Sequence, residues 1–315
     1  MIGRQASQQN GQGESVDAEF PFSPADFLDI AQMLRADTGI SLEQGKMTMV
    51  YARLAKRVRI SGFSDFRKYR KFLQTEQGAD ERRHMARALT TNTTSFFREA
   101  YHFDHLKQHV LPSLIADARR GARVRLWSAG CSSGEEAYTI ALVLLSLAPD
   151  AVDLDIKILA TDIDTDILHK AKEGLYTAHA LIPVEEELRK RWFLPDGATD
   201  GEEHWRVHPD LQRLVTFKMA NLIGTWPMKG PFQAIFCRNT VIYFDDEVRR
   251  NIWTQMASLL EPGGYLYIGH SERIPVENET FSSVGITVYR SRVEAKSSGS
   301  EPDGSGLRGC SDAGS

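Results

Sequence analysis

The feature that most constrains the fold is the stretch RVRLWSAGCSSGEEAYTIALVLL, residues 123–145. It begins as a short apolar run typical of a buried strand, breaks at small residues, and continues as an apolar helix. Such strand–turn–helix units build parallel sheets whose two faces are covered by helices. In open sheets of this kind, ligands bind beyond the carboxyl ends of the strands. The turn at 128–135 is therefore a candidate binding site.

Short apolar runs alternate with helical segments throughout the chain after Gly121. The runs are RVRLWSA, DIKILATD, LVTFKMAN, FQAIFCRN and GGYLYIGH. This alternation predicts an α/β domain built on a doubly wound, mainly parallel sheet. Residues 176–213 interrupt the alternation with a polar, turn-rich sequence that includes LPDGATDGEEHWRVHPDL. We predict a small β insertion there.

The chain from Ser23 to about Lys107 has a helical pattern instead. Ser23 is a typical N-cap, Pro24 suits the first helical position, and Gly39 predicts the end of that helix. From position 46 to position 71, nine lysines and arginines stand against one acid, in a protein of net charge −4. We expect a small helical bundle with a basic outer surface. Such a surface is either merely solvated or contacts a negatively charged partner.

The two ends of the chain, residues 1–20 and 294–315, lack hydrophobic periodicity and predict disordered tails. Between them we expect a helical domain over 21–90 and an α/β domain over 91–293. No apolar run approaches the ~18–20 residues of a membrane span. The first residues also lack the apolar segment of a signal peptide.

The three cysteines, Cys131, Cys237 and Cys310, are far apart and odd in number. Their spacing fits neither a disulfide framework nor a metal site, so we expect no metal and a cytoplasmic location.

The turn after the first strand is unsuited to a phosphate. A dinucleotide site uses G-x-G-x-x-G so that backbone amides surround a pyrophosphate, whereas this turn has only Gly130 and Gly134. Glu135 and Glu136 stand where the phosphate would approach and would repel it. A cationic ligand without phosphate, such as S-adenosylmethionine, fits better. Asp162, after the second strand, can accept hydrogen bonds from a ribose, although it could equally cap the next helix.

Six blocks of sequence resemble, in order, those of the CheR-type chemotaxis receptor methyltransferases. They are TTNTTSFFRE (90–99), LWSAGCSSGEEAYTIAL (126–142), ILATDIDTDIL (158–168), MANLI (219–223), IFCRNTVIYFD (235–245) and LLEPGGYLYIGHSE (259–272). The resemblance implies a helical domain followed by a Rossmann-like methyltransferase domain that carries a small antiparallel β insertion. It also implies methyl transfer from S-adenosylmethionine to glutamate side chains on the cytoplasmic helices of chemoreceptors, with S-adenosylhomocysteine as the second product.

The resemblance also implies roles for individual residues. Those that would bind the cofactor are Asn92, Thr94, Arg98, Glu135, Asp162, Asn221, Leu222, Arg238 and Asn239. Among them, Glu135 would pair with the methionine ammonium and Asp162 with the ribose. Arg98, Arg238 and Tyr243 would orient the incoming glutamate.

Several of these residues also have a purely structural interpretation. Asn92 and Thr94 could cap the helix that follows them, Arg238 could belong to an ion pair, and Tyr243 could be a packing residue. Thr240 stands where an aliphatic residue is expected, which can change the local packing.

The basic segment would serve as a docking surface, with Arg53, Lys56, Arg57 and Arg59 on its exposed side facing the acidic receptor helices. The chief alternative is a non-catalytic adaptor that binds S-adenosylmethionine or the receptor. The turn disfavours an oxidoreductase, and no basic channel near the cofactor suggests a nucleic acid as substrate. We expect a monomer that contacts chemoreceptors without inserting into the membrane.

Overall fold

The computed structural model describes residues 19–90, 92–199, 201–275 and 277–293. Most of the two predicted tails, together with Cys310, lies outside these ranges. Phe20 was predicted as the last residue of the first tail, but it is buried, with its ring centroid 6.4 Å from that of Phe66. Among the described residues, no helix combines the length and the apolar character that crossing a membrane requires.

The elements follow the predicted order of a helical part and then an alternating part. The α-helices are α1 (Pro24–Thr38), α2 (Met47–Ile60), α3 (Phe66–Leu73), α4 (Ala79–Leu89), α5 (Tyr101–His105), α6 (Leu111–Arg119), α7 (Glu135–Leu147), α8 (Thr165–Glu173), α9 (Glu186–Trp192), α10 (Pro209–Leu214) and α11 (Asp246–Leu259). The strands are β1 (Val124–Ala129), β2 (Ile156–Asp162), β3 (Leu175–Thr177), β4 (Phe193–Thr199), β5 (Glu202–Val207), β6 (Val215–Met219), β7 (Phe232–Cys237), β8 (Leu260–Ile268), β9 (Phe281–Gly285) and β10 (Val288–Ser291).

Local signals set the ends of α1 as predicted. Ser23 and Asp26 form a capping box, in which each side chain accepts the other's backbone N–H, and Pro24 follows the cap. Such a cap stabilises a helix by about 1 kcal/mol. At the other end Gly39 adopts a left-handed conformation with φ 78° and donates its N–H to the Arg35 carbonyl.

Helices α1 to α4 pack as a small bundle around apolar side chains. The fully buried members are Ile30, Leu34, Val50, Leu54, Val58, Phe66, Tyr69, Leu73 and Met85. This core is continuous with one face of the large sheet, because Trp127 of β1 and Ile235 of β7 belong to the same buried cluster. The helical bundle therefore packs against one face of the large sheet.

The large sheet has seven strands in the order β6-β2-β1-β7-β8-β10-β9. The first five are parallel, and β10 is antiparallel to both of its neighbours. The prediction of a doubly wound, mainly parallel sheet is confirmed. The strand order reverses beside β1, which lies between β2 and β7, so the carboxyl ends of these strands form the crevice where ligands bind in such sheets.

A second, antiparallel sheet has the order β3-β5-β4. Its strands lie within or next to the predicted insertion at 176–213, and Tyr176 of β3 pairs with Trp205 of β5. The small antiparallel β insertion is therefore confirmed.

The loop after α1 joins the helical bundle to the α/β part. Ile40 forms an isolated antiparallel bridge with Phe244, and Ser41 donates its N–H to the Tyr243 carbonyl at 2.8 Å. From α4, Arg87 reaches the acids at the start of α8, with its Nε 3.3 Å from Asp164 Oδ1. The two parts are thus connected by backbone hydrogen bonds and by an ion pair.

We expect a Gly39→Ala substitution to weaken this junction more than a matched Gly62→Ala substitution. Both glycines are left-handed, with φ values of 78° and 74°, so both variants bear the backbone strain of about 1–2 kcal/mol. A Cβ on Gly39 would lie 2.6 Å from Ile223 Cγ2, whereas no atom lies within 4 Å of one on Gly62. This overpacking should cost Gly39→Ala about 1–3 kcal/mol more in the free energy of unfolding by urea. Equal losses in the two variants would contradict it.

Candidate active site

A cavity of about 500 Å³ opens at the carboxyl ends of β1, β2 and β7. This volume lies within the roughly 300–1,000 Å³ that is usual for small-molecule sites. The α/β part supplies residues of the turn after β1 and of the loops after β2, β6 and β7. The rest of the wall comes from the loop from Thr38 to Lys46, from Met49 of α2, from Leu89 and Thr90 at the end of α4, and from the segment 92–98. The cavity is therefore enclosed by both parts of the chain.

Most of the predicted cofactor and substrate residues line this cavity. They are Asn92, Thr94, Arg98, Asp162, Asn221, Leu222, Arg238, Asn239 and Tyr243. Glu135 does not line it. The sequence blocks that carry these residues are far apart in the chain, and the strand order brings them together.

The structure distinguishes the two adjacent carboxylates at the start of α7. Glu135 accepts a hydrogen bond from Ser133 Oγ at 2.6 Å, while Glu136 lines the cavity. Burial raises the pKa of both carboxyl groups. The pairing of Glu135 with an ammonium group remains a prediction. Glu136 had no predicted role, although the adjacent glutamates were the sequence signal that could have indicated it.

The carboxylate of Asp162 is fixed by the two loops that meet at the cavity. It accepts the backbone N–H of Ser132 at 2.8 Å and that of Asp164 at 3.0 Å. Burial raises its pKa, which these two hydrogen bonds oppose. The N-cap of α8 is Asp164, which accepts from Asp166 and Ile167. The alternative in which Asp162 caps this helix is therefore wrong.

The turn after β1 approaches the loop after β7 closely. Gly130 has φ 80°, and a Cβ there would lie 2.4 Å from Thr240 Oγ1. Thr240 in turn donates a hydrogen bond to the carbonyl of Arg238 at 3.1 Å. The unexpected threonine is thus accommodated by the glycine opposite and leaves Arg238 and Asn239 in the cavity wall.

The segment 92–98 forms one side of the cavity without being part of a helix. Asn92 donates its side-chain amide to Asp164 Oδ2 at 3.2 Å and accepts Ser132 Oγ at its carbonyl. The next α-helix begins at Tyr101, after Ala100 as its N-cap. The alternative in which Asn92 and Thr94 cap that helix is therefore wrong.

Arg238 is buried, with 2% of its side chain exposed, and it is neutralised from two sides. Its Nη1 lies 3.0 Å from Glu136 Oε2 and its Nη2 lies 3.3 Å from Glu99 Oε2. Nη2 also donates to the Arg98 carbonyl, and the guanidinium lies over the Phe103 ring. Its Nε has no partner among the described residues. The predicted ion pair exists, so Arg238 is poorly suited to orient an incoming carboxylate.

Arg98 is the better candidate for that role. Its Nη1 donates to the Thr93 carbonyl at 2.8 Å, and within the described ranges its guanidinium forms no ion pair. Tyr243 also lines the cavity, next to the loop from the helical bundle that binds its carbonyl.

Behind Arg238 lies a cluster of hydrogen-bonded groups that the sequence did not indicate. Burial alone would raise the pKa of Glu99, but hydrogen bonds from His270 and the charge of Arg238 outweigh it and lower this pKa to about 2. His102 is fully buried, with its Nε2 2.9 Å from Thr287 Oγ1. Burial, aided by the charge of Arg238, lowers the His102 pKa to about 4. His102 is therefore neutral near pH 7.

The four predicted docking residues on α2 do not share one environment. Lys56 and Arg59 are exposed, whereas Arg53 and Arg57 are half-buried. Arg57 forms a two-pronged ion pair with Glu81, at 2.5 and 3.0 Å, and Arg59 pairs with Glu19. Arg53 donates to the carbonyls at the end of α4. The expectation that all four lie on the exposed side is wrong for Arg53 and Arg57.

The donor set of the cavity fits S-adenosylmethionine. The wall contains two carboxylates, of which Glu136 is already paired with Arg238, so Asp162 is the one that can accept hydrogen bonds from hydroxyl groups. Asn221 donates one amide N–H to the Asp37 carbonyl and keeps the second for a base edge. The turn after β1 lacks the glycine pattern of a diphosphate site, and the backbone N–H groups of residues 130, 131, 132 and 134 already have acceptors within the protein. These observations favour a sulfonium nucleoside over a dinucleotide.

We expect His102 to make stability depend on pH. Its folded pKa is about 4 against 6.5 in the unfolded chain, so between these values the unfolded chain binds a proton that the folded chain does not. Stability should therefore fall as the pH drops from about 6.5 towards 4, by about 2 kcal/mol between neutral pH and about pH 5. This fall should be smaller by that amount in His102→Gln, measured by urea unfolding, but unchanged in a control at an exposed histidine, His84→Gln. Identical pH profiles for His102→Gln and the wild type would contradict it.

Comparison with known proteins agrees with this geometry. Residues 25–90 match the family model described as "CheR methyltransferase, all-alpha domain", and residues 92–290 match "CheR methyltransferase, SAM binding domain". The chain is 49% identical over 259 residues to a "Probable chemotaxis protein methyltransferase" of Rhizobium etli, covering 82% of this chain and 96% of that protein. It is 40% identical to the "Chemotaxis protein methyltransferase" of Salmonella typhimurium, covering 85% of this chain and 90% of that protein. The chain therefore belongs to the CheR family of S-adenosylmethionine-dependent methyltransferases.

Proposed function

We propose that this methyltransferase esterifies glutamate side chains on the cytoplasmic helices of chemoreceptors, and that it acts as a monomer in the cytoplasm. Family membership supports the reaction. One structural observation supports the proposed substrate. Helix α2 contributes Met49 to the cavity wall and exposes Lys56 and Arg59 to solvent. An acidic helix bound to this exposed face would lie close to the cavity.

The substrate requires no protein base. A glutamate side chain titrates near ~4.3 and is already ionised at neutral pH. S-adenosylmethionine supplies a methyl group activated by its sulfonium. The residues of this chain then act by binding, orienting and excluding water, and positioning of this kind can supply about 7–11 kcal/mol of the barrier.

In this proposal the predicted residues divide into three groups. Those that hold the cofactor are Asn92, Thr94, Glu135, Asp162, Asn221, Leu222 and Asn239, to which we add Glu136. Arg98 and Tyr243, which both line the cavity, orient the incoming glutamate. We assign Arg238 to holding the cavity wall rather than to the substrate, because its charge is already matched by Glu99 and Glu136. A guanidinium that orients a carboxylate without neutralising it preserves the nucleophile.

The decisive experiment measures methyl transfer to a receptor. The purified protein and S-adenosylmethionine labelled in its methyl group should transfer label to receptor-containing membranes, and mild base should release the label because a carboxylate methyl ester is hydrolysed by base. A non-catalytic adaptor would bind the cofactor in calorimetry and leave the receptor unlabelled. Label that resists base would exclude a glutamate ester.

We expect charge reversal at the exposed end of α2 to weaken receptor binding specifically. In the double variant Lys56→Glu, Arg59→Glu, the KM for receptor should rise at least about threefold at low salt, because two favourable long-range charge interactions become repulsive. The Kd for S-adenosylmethionine should stay unchanged, because neither residue lines the cavity.

The matched control is Lys170→Glu, Lys172→Glu, which reverses two exposed lysines on α8. It changes the net charge equally and should leave the KM for receptor near the wild-type value. The same KM in both double variants would mean that α2 is not the docking surface.

A further inference from the structure

Glu99 joins three segments of the chain, two of which line the cavity, although the resemblance assigned it no role. Its Oε1 accepts the side-chain amide of Asn239 at 3.3 Å and the backbone N–H of His270 at 3.2 Å, and it lies 2.8 Å from His270 Nδ1. Its Oε2 lies 3.3 Å from Arg238 Nη2. One carboxylate thus ties the segment 92–98 to the loops after β7 and β8.

The backbone of this segment is held in an unusual conformation. Phe97 and Glu99 both have left-handed φ angles, 53° and 56°, which non-glycine residues seldom adopt. Such conformations persist where the surroundings determine them, and here they turn the Glu99 side chain inward, where 11% of it is exposed. The contacts of Glu99 are therefore a fixed part of the site.

Glu99 also sets the charge balance around the cavity. The charged residues in the cavity wall are three anions and three cations, namely Glu43, Glu136, Asp162, Lys46, Arg98 and Arg238. Directly behind Arg238, Glu99 adds a fourth anion, and the neighbouring His102 is uncharged at neutral pH. With four anions and three cations, the wall together with Glu99 has a net charge of −1.

This excess negative charge affects the binding of S-adenosylmethionine and of S-adenosylhomocysteine differently. S-adenosylmethionine carries one positive charge more than S-adenosylhomocysteine, because methyl transfer removes the sulfonium. A buried anion close to the site stabilises the charged form and not the neutral one, and the low polarity of the surroundings strengthens this effect. Since Arg238 and Asn239 both line the cavity and both contact Glu99, this carboxylate lies one side chain behind the cavity.

We propose that Glu99 is a positioning residue of the cofactor site, which holds Arg238 and Asn239 in the cavity wall and supplies the negative charge that favours S-adenosylmethionine over S-adenosylhomocysteine. The inference concerns the cofactor alone and is independent of the receptor substrate.

The test compares the Kd values of the two compounds by calorimetry in the absence of receptor. In Glu99→Gln the side chain keeps its size and loses its charge. The Kd of S-adenosylmethionine should rise at least about fivefold more than that of S-adenosylhomocysteine. A purely structural role would raise both Kd values by the same factor, so an unchanged ratio overturns the proposal.

Two further variants control this comparison. Asp104→Asn removes an exposed acid from the neighbouring α5 and should leave both Kd values unchanged; a shifted ratio there would assign the effect to overall charge and overturn the proposal. Glu99→Asp keeps the charge but shortens the side chain, so both Kd values should rise while their ratio stays within about twofold of the wild type. If Glu99→Gln does not fold, Glu99→Asp decides: a ratio that shifts, or two unchanged Kd values, overturns the proposal.

Discussion

The buried ion group around Arg238 is the interaction on which the candidate site depends. A buried guanidinium is costly unless its charge is matched, and here Glu136 matches it from α7 and Glu99 from the segment before α5. Removing one partner of such a group typically costs about 3–5 kcal/mol, because the remaining charge stays buried. The end of β7, the start of α7 and the segment 92–98 are thereby held in one arrangement.

The second constraint is the contact between the helical bundle and the sheet. The loop after α1 lines the cavity and pairs with the residues after β7, through the Ile40–Phe244 bridge and the Ser41–Tyr243 hydrogen bond. Asn221, in the loop after β6, donates its side-chain amide to the Asp37 carbonyl at 3.0 Å. The bundle is thus part of the cavity as well as a candidate docking surface. In the proposed function, docking and cofactor binding would involve the same helix, because α2 has Met49 in the cavity wall and Lys56 on its exposed face.

The sequence predicted those features that depend on local chemistry. The Ser23 cap, the Gly39 stop and the five parallel strands follow from residue type and periodicity, and the structure contains all of them. The family resemblance indicated cofactor and substrate residues from five separate parts of the chain, and all of them except Glu135 line one cavity. A pattern shared with known proteins can identify such residues even though their spacing in the chain does not show that they meet.

The features that the sequence did not predict depend on partners from elsewhere in the chain. Helical spacing places Arg57 on the outside of α2, but Glu81 of α4 lies where it can pair with it. Adjacent glutamates begin α7, and only the packing of that helix decides which one faces the cavity. Glu99 and His102 gain their roles from Arg238 and Thr287, which lie more than a hundred residues further on. Periodicity carries no information about such pairs.

Glu272 joins the loop after β7 to the loop after β8. Its buried carboxylate accepts four backbone N–H groups, which belong to Gly269, Asn239, Val241 and Ile242. Two separate loops therefore share a single anchor. A side-chain amide at this position would have one acceptor oxygen instead of two, so it could not satisfy the same donors. In hydrogen exchange, these four amides should lose their protection together in one cooperative opening rather than loop by loop.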